Sequence, residues 1–273
     1  MQNPGILVIE TSLEGYLVEE LNRRTQIDTF RGLQRTIDQK IEIFYERVHD
    51  IQGLRQIFSN CQEQNSRKRI TKKKGVTITE PTNIQFIHIS SHGTKDSLDL
   101  PLIAKREKKA HSTDLANAFS QLKGAGVKAI VFSCCQTGQN AALARKILEK
   151  TGIQAIVAYP DITYDHVCAI AEQLLYFQLL RNKRTRVWEA VIRVNDSLFV
   201  LGEDKKRMLA CWTQEEGRVS GPYPWWNSDV EIGESKFRSY LTRVKDLIPK
   251  RGRMSEKTIS ELRDIMKYVG KHK

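Results

Sequence analysis

The fold is decided by residues 129–138, which read AIVFSCCQTG. Residues 129–132 are a nearly continuous apolar run, typical of a β-strand that is buried on both faces of a sheet. Small and polar residues follow up to Gly138, and a helical pattern then extends from about residue 139 to 150, where Gly152 ends it. This stretch therefore predicts a strand, a tight turn and a helix in succession.

The same alternation continues in both directions along the chain. Upstream, residues 84–89 (IQFIHI) are a β-rich run ending at Ser91, His92 and Gly93, and a helix is predicted from about Ser112. Downstream, residues 155–159 form another apolar strand, and residues 164–180 have helical apolar spacing. Strands alternating with helices over short connections predict an α/β fold, with a mostly parallel sheet and helices on both faces.

The amino-terminal pattern is less regular. Residues 6–9 predict a strand, residues 12–24 a helix, and residues 41–45 either a strand or a helix. Without repeats or a Pro-rich or Gly/Ser-rich linker, we expect one α/β domain over residues 1–235. Residues 236–273 are predicted to be a basic helical carboxy-terminal appendage, because they hold twelve Lys and Arg against four Asp and Glu.

Composition and sequence pattern argue against a membrane-spanning protein, a secreted protein, a disulfide framework and structural zinc. The chain has 273 residues, 40% hydrophobic and 28% charged, which is ordinary for a soluble globular protein. No apolar stretch is long enough for a membrane span, and the first residues lack the pattern of a signal peptide, so a cytoplasmic protein is expected. Five cysteines without a C-x-x-C pair predict free thiols, neither a disulfide framework nor structural zinc.

The formal charge of +12 includes two internal basic clusters, at residues 67–74 and 105–109. Both interrupt apolar patterns, so we predict exposed loops at residues 66–75 and 104–110. A solvated surface is the usual meaning of such clusters, although they also permit a contact with nucleic acid.

Two of the predicted strands end in residues that could act together in catalysis. His92 and Cys135 each follow a strand, and the carboxyl ends of parallel strands meet at one edge of the sheet. A thiol nucleophile needs an acid/base, and acyl transfer needs N–H donors for the oxyanion. Gly93 suits a close approach of a carbonyl to its backbone N–H, and Gly138 suits a tight turn that holds the thiol near a helix amino terminus. Taken singly, each residue is more often structural.

At these residues the sequence resembles the caspase-like cysteine peptidases, and most closely their CHAT branch. That branch has a His-x-x-x-His-Gly signature and then a Ser-Ala-Cys-x-Thr-Gly signature. Here they are residues 88–93 (HISSHG) and 133–138 (SCCQTG), with Cys134 in the alanine position. The resemblance covers roughly residues 84–195 and implies a caspase-like three-layer α/β/α sandwich. The Pro-x-Tyr-Trp-Ala strand that closes many CHAT domains is not found, since residues 222–226 (PYPWW) have its composition in another order.

The resemblance implies a cysteine endopeptidase without a cofactor. Cys135 would be the nucleophile and His92 the general acid/base, with the backbone N–H groups of Gly93 and Cys135 as the oxyanion hole. Related proteins are often effectors in bacterial defence or cell death that cut a partner, such as a gasdermin-like pore former or a regulator. Because the chain has no sensor repeats, a separate sensor or activator protein is expected.

Substrate choice is left open by the sequence. Metacaspases, which are related, have an Asp at the position of Ser133 and use it to bind Arg or Lys at the cleavage site. Serine cannot supply that negative charge. Asp161 and Asp165 are the nearest acids for a substrate pocket, but the more ordinary interpretation is that they cap the following helix. If they do favour Arg or Lys, the two basic loops become candidate sites of self-processing.

Two further interpretations belong to the sequence alone. By strand alternation, the His88 side chain points to the same face of the strand as Phe86. A buried, hydrogen-bonded histidine is therefore favoured over a catalytic one. The alternative to an enzyme is a catalytically silent scaffold or nucleic-acid-associated protein on the same fold, supported by the basic segments.

Overall fold

The computed structural model describes most of the chain up to residue 223. The described ranges are residues 3–11, 27–37, 40–66, 82–103, 106–163, 165–181, 184–201, 203, 208–215 and 218–223. These ranges contain nine strands and six α-helices. The strands are β1 (Gly5–Thr11), β2 (Glu42–Val48), β3 (Ile84–Ser90), β4 (Ser97–Ile103), β5 (Arg106–His111), β6 (Ala129–Ser133), β7 (Ala155–Ala158), β8 (Ala210–Glu215) and β9 (Arg218–Tyr223). The helices are α1 (Ile27–Thr36), α2 (Ile51–Ser66), α3 (Ser112–Phe119), α4 (Ala141–Thr151), α5 (Asp165–Arg181) and α6 (Val187–Val200).

Seven strands form the central sheet, in the order β2-β1-β3-β6-β7-β8-β9. The pairs from β2 to β7 are parallel, whereas β8 and β9 are antiparallel to their neighbours. Parallel neighbours need crossover connections, and the helices between the strands supply them. The expected α/β fold with a mostly parallel sheet is confirmed.

Side chains from the two faces of the sheet enter two separate apolar cores, because successive residues of a strand point to opposite faces. One core contains Ile87, Ile89, Ile130 and Phe132 and is covered by α2, α3 and α4. The other contains Val8, Phe86, Val131 and Val157 and is covered by α1, α5 and α6. The helices therefore lie on both faces, as the alternation predicted.

Several local predictions differ from the structure. Residues 106–110 are not a loop, since β5 pairs antiparallel with β4 in a two-stranded sheet. The loop predicted here from the basic cluster is therefore wrong, because backbone pairing with β4 makes the segment a strand. The helix after this hairpin is capped at His111 without a side-chain bond, not by Ser112. Of residues 41–45, which were predicted as a strand or a helix, residues 42–45 belong to strand β2. The helix predicted at 12–24 and the basic cluster at 67–74 lie outside the described residues.

The backbone contacts group Met1–Trp225 as one compact unit. The predicted boundary at residue 235 and the predicted basic helix at 236–273 lie outside the described residues, so both stay predictions. Among the helices of the described ranges, none combines the length and apolarity that a membrane crossing requires.

Candidate active site

The register between β3 and β6 brings the two candidate catalytic residues to one edge of the sheet. Ser90 and Ser133 are paired at the last position of these adjacent parallel strands. His92 and Cys135 each lie two residues beyond that pair, and the Ser91 N–H donates to the Ser133 carbonyl at 3.3 Å. The segments that follow β3 and β6 therefore leave the sheet side by side, at the carboxyl edge where α/β proteins bind their ligands.

Gly93 packs directly against the segment that carries Cys135. A Cβ built on Gly93 would lie 3.2 Å from the Cys135 carbonyl oxygen, 3.2 Å from the Cys134 Cβ and 3.1 Å from the Thr137 Cγ2. The absence of a side chain at Gly93 is thus what lets the two segments approach. This contact links the residue after His92 to the Cys135 turn (residues 134–138).

The two adjacent thiols have different surroundings. Cys134 is 2% exposed, and its Sγ donates to the Ile89 carbonyl at 3.5 Å within the α2–α4 core. Burial raises the pKa of the Cys134 thiol well above its usual value. Cys135 is only half-buried, and its Sγ lies 3.8 Å from the Thr163 carbonyl oxygen. Of the two thiols, Cys135 is the one that a substrate can reach.

The Cys135 turn is tightly constrained. Gln136 has a φ of 59°, a left-handed conformation that is uncommon for a residue other than glycine. A Cβ on Gly138 would lie 2.5 Å from the Pro160 nitrogen, so only glycine fits against the loop after β7. Helix α4 begins at Ala141, where the Asn140 side chain accepts from the Leu143 N–H. The short 3-10 turn Thr137–Gln139 separates Cys135 from this helix terminus. The helix was predicted to begin at about residue 139, so its amino terminus lies farther along the chain from Cys135 than predicted.

The loop after β7 lies against the same turn. The Gln136 N–H donates to the Asp161 carbonyl at 3.3 Å, and the Thr163 carbonyl faces the Cys135 thiol. The Asp161 carboxylate accepts from the Ile162 N–H at 2.7 Å, so this acid binds its own loop instead of capping α5. Ile162 itself is 62% exposed. The side chain of Asp165 lies outside the described part of the chain.

A buried polar cluster lies beneath this edge on the α5 face of the sheet. His88 and Glu172 are both fully buried, with His88 Nε2 3.6 Å from Glu172 Oε2. His88 Nδ1 is 3.2 Å from the Tyr176 hydroxyl, which confirms the expected buried, hydrogen-bonded histidine. The Tyr159 hydroxyl donates to Glu172 Oε1 at 3.3 Å, and the Ser133 side chain is hydrogen-bonded to the same carboxyl group.

Burial governs the ionisation of this cluster. It raises the pKa of Glu172 to about 8, although the Ser133 and Tyr159 bonds oppose the shift. Burial also lowers the pKa of His88 to about 3. Burial thus favours the uncharged form of each group, and so opposes an ion pair between His88 and Glu172. Among the residues that the structure describes, none is a hydrogen-bond partner of His88 Nε2 or of Glu172 Oε2.

Glu172 was missed by the sequence analysis, although the sequence contains a signal for it. The residue lies four positions after Cys168, four before Tyr176 and three before the buried Leu175, on the face of α5 that packs against the sheet. A carboxylate on the apolar face of a helix is rare unless it is paired, so its spacing alone would have selected it.

Comparison with known proteins finds a likeness in structure but none in sequence. No protein-family model matches the chain, and no curated protein matches it in sequence. The structure is similar to that of a secreted C11 cysteine protease from Bacteroides thetaiotaomicron, with 11% sequence identity and a TM-score of 0.47. The likeness covers 78% of this chain and 67% of that protein. At this level of similarity the chemistry has to be argued from the side chains, and membership of the CHAT family stays a prediction.

Proposed function

We propose that this protein is a cysteine endopeptidase in which Cys135 is the nucleophile and His92 the general acid/base. The observation that carries the proposal is the Ser90–Ser133 register, which starts the His92 and Cys135 segments from paired positions. Two independent features support it. Cys135 is the accessible member of the thiol pair, and Gly93 lies against the Cys135 carbonyl.

The proposed reaction is acyl transfer in two steps. The Cys135 thiolate attacks the peptide carbonyl carbon, and the carbon–sulfur bond forms while the backbone N–H groups of Gly93 and Cys135 hold the oxyanion. His92, protonated by the thiol, gives its proton to the leaving amine as the carbon–nitrogen bond breaks. Water, deprotonated by His92, then hydrolyses the thioester, and the thiol and the carboxylic acid product are released.

The substrate-binding part of the proposal uses the two segments that flank Cys135. Ser133 precedes it, and the loop containing Asp161 and leading to Asp165 follows β7. Support comes from the bond between the Gln136 N–H and the Asp161 carbonyl, which holds this loop beside the nucleophile. The exposed Ile162 is available to a substrate at the same place.

The biological role is proposed at a coarser level, as a regulated effector in bacterial defence or cell death. Its partners would be a protein substrate and a separate sensor or activator protein. The competing function is a silent scaffold or nucleic-acid-associated protein, for which the basic clusters are the support.

One experiment separates these functions. The full chain is incubated with acyloxymethyl ketone probes that carry Arg or Asp, and the labelled residue is identified by mass spectrometry. Labelling of Cys135 that is lost in His92→Ala supports the peptidase. No labelling, together with salt-sensitive binding to DNA or RNA, would favour the scaffold and reject the peptidase.

A further inference from the structure

A cavity of about 440 Å³ lies at the edge of the sheet opposite to the candidate active site. It is lined near the start of β3 by Phe86, just before β6 by Lys128, and at the end of the antiparallel strand β8 by Thr213–Glu215. His92 and Cys135 follow the other ends of β3 and β6. Because β6 is five residues long and a strand rises about 3.3 Å per residue, roughly 13 Å of sheet separates this amino-edge cavity from the Cys135 turn.

The wall of the amino-edge cavity is positively charged. Among the described residues that line it, Lys128, Arg184 and Arg186 are cationic, and Glu215 is the one acid. Arg186 Nη1 lies 3.7 Å from Glu215 Oε1, with the two side chains 63% and 61% exposed. An ion pair so exposed contributes little to stability, so the Arg186 guanidinium can turn to another anion. The wall therefore favours a ligand with a negative charge, and arginine suits a phosphate group in particular.

Two carboxamide side chains lie next to each other in the same wall. The Gln214 N–H donates to the Gln154 carbonyl at 2.9 Å, and both residues line the cavity. Gln214 Oε1 is buried and has no hydrogen-bond partner among the described residues, which is unfavourable for a carbonyl oxygen. The Gln214 residue as a whole is only half-buried, so rotation of its amide presents this oxygen to a ligand. Adjacent amides offer both donors and acceptors, as the edge of a nucleobase requires.

The remaining wall is apolar and includes an aromatic ring. Phe86, Leu179 and Val187 are buried side chains that line the cavity, and Trp188 beside them is half-buried. Indole rings stack on nucleobases of any sequence, because every base has a flat π-face. The wall thus combines cations, amides and an aromatic ring within one cavity.

We propose that the amino-edge cavity binds a nucleoside monophosphate. The phosphate lies against Arg184, Arg186 and Lys128, and the base lies against Trp188 and the carboxamide of Gln214. The volume falls within the range of roughly 300–1,000 Å³ that is typical of small-molecule sites. This binding does not depend on the proposed peptidase function, because its residues belong to the opposite edge of the sheet.

The test is isothermal titration calorimetry of the full chain with AMP, GMP, CMP and UMP in about 0.15 M salt, which screens non-specific attraction to basic surfaces. At least one nucleotide should bind with a stoichiometry of one and a Kd below about 1 mM. Its nucleoside and inorganic phosphate should each bind at least about fivefold more weakly, since each makes only part of the contacts. A Kd above that limit for all four nucleotides, or equal binding of inorganic phosphate, would overturn the proposal.

Substitutions in two different elements locate the site. Arg184→Gln and Gln214→Leu should each weaken binding of that nucleotide by at least about fivefold, and a smaller effect would reject the assignment. Arg145→Gln is the matched control, because Arg145 is an exposed arginine on α4, on the other face of the sheet. If Arg145→Gln weakens binding as much as Arg184→Gln, general attraction to the basic chain explains the result and the proposal fails.

The Gln214→Leu variant also separates binding from a structural role. Because Gln214 Oε1 has no partner in the described part of the chain, this variant without nucleotide should unfold at a temperature no lower than that of the wild-type protein. The stabilisation that the nucleotide gives to the wild-type protein should be absent. A lower melting temperature without nucleotide would mean that Gln214 serves the fold.

Two more titrations exclude other sources of the same signal. A 5′-phosphorylated trinucleotide carries the same chemistry at the end of a nucleic acid strand, and tighter binding of it than of the mononucleotides would overturn the assignment to a free nucleotide. Cys135→Ala should bind the nucleotide with an unchanged Kd whether or not the protein is a peptidase. Loss of binding in that variant would place the nucleotide at the candidate active site and reject the proposal.

Discussion

Cys134 and Cys135 are neighbours in sequence, but the structure places one thiol in the core and leaves the other half-exposed. The Cys134 Sγ donates to the Ile89 carbonyl, and the Cys135 Sγ lies against the Thr163 carbonyl. Alanine substitutions of the two cysteines are therefore a matched pair for identifying the nucleophile, because each removes a thiol and the two positions are adjacent.

Cys135→Ala should lower peptidase activity by about 10³-fold or more and abolish labelling by the probe, because no other group can form the thioester. Cys134→Ala should retain most of the activity, with a loss of roughly 1 kcal/mol in stability from the buried sulfur. Kinetics and mass spectrometry of the two variants measure both effects. Labelling of Cys134, or an active Cys135→Ala, would show that the register has been misassigned.

Gly138→Ala should destabilise the fold by about 3 kcal/mol or more, because the added Cβ would overlap the backbone of Tyr159 and Pro160. Thermal unfolding measures this as a lower melting temperature. Gly32→Ala is the control, since Gly32 lies within α1 and the nearest atom to its Cβ would be 3.9 Å away. That substitution should stabilise the helix by about 0.5–1 kcal/mol, and an equal fall in both variants would contradict the explanation.

The stability of the protein should change with pH in a way set by His88 and Glu172. The folded-state pKa of His88 is lowered from 6.5 to about 3, so its contribution is lost as the pH falls below 6.5. That of Glu172 is raised from 4.5 to about 8, so its contribution is present below pH 4.5 and is lost as the pH rises to 8. Between pH 4.5 and 6.5 the two effects oppose each other, and stability should be nearly constant there.

This pH profile can be checked by denaturant unfolding of the wild-type protein and of Glu172→Gln. Between pH 6.5 and 8 the wild-type protein should lose roughly 2 kcal/mol more than the variant, since one proton per molecule corresponds to about 1.4 kcal/mol per pH unit. Parallel profiles for the two proteins would mean that Glu172 is already ionised in the folded state.

Self-processing, if the enzyme prefers basic residues, should occur in residues 67–75 and not in residues 106–110. A protease needs an unpaired, extended segment, and β5 is paired with β4 along its length. Purification of the wild-type protein beside Cys135→Ala, with sequencing of fragment ends, tests this. Intact masses for both proteins, in a preparation with proven activity, would show that these segments are not processed.

Much of the architecture follows from local pattern. The apolar run at residues 129–132 and the helical spacing after it are set by neighbouring residues, so the α/β alternation and the positions of His92 and Cys135 at strand ends could be predicted. The strand β5 could not, because a run containing Lys108 and Lys109 becomes a strand only when a partner strand offers its backbone.

The sequence by itself determined the parallel α/β sheet and the two strand ends that carry a thiol and an imidazole, because periodicity and turn residues act within a few positions of the chain. The tertiary structure alone decided that Cys134 is buried and Cys135 accessible, since burial depends on what covers each face of a sheet. It also decided that Glu172 lies behind Ser133, 39 positions earlier in the chain. A hydrogen bond between distant segments, and the pKa that burial imposes on its members, exist only once β6 and α5 have packed together.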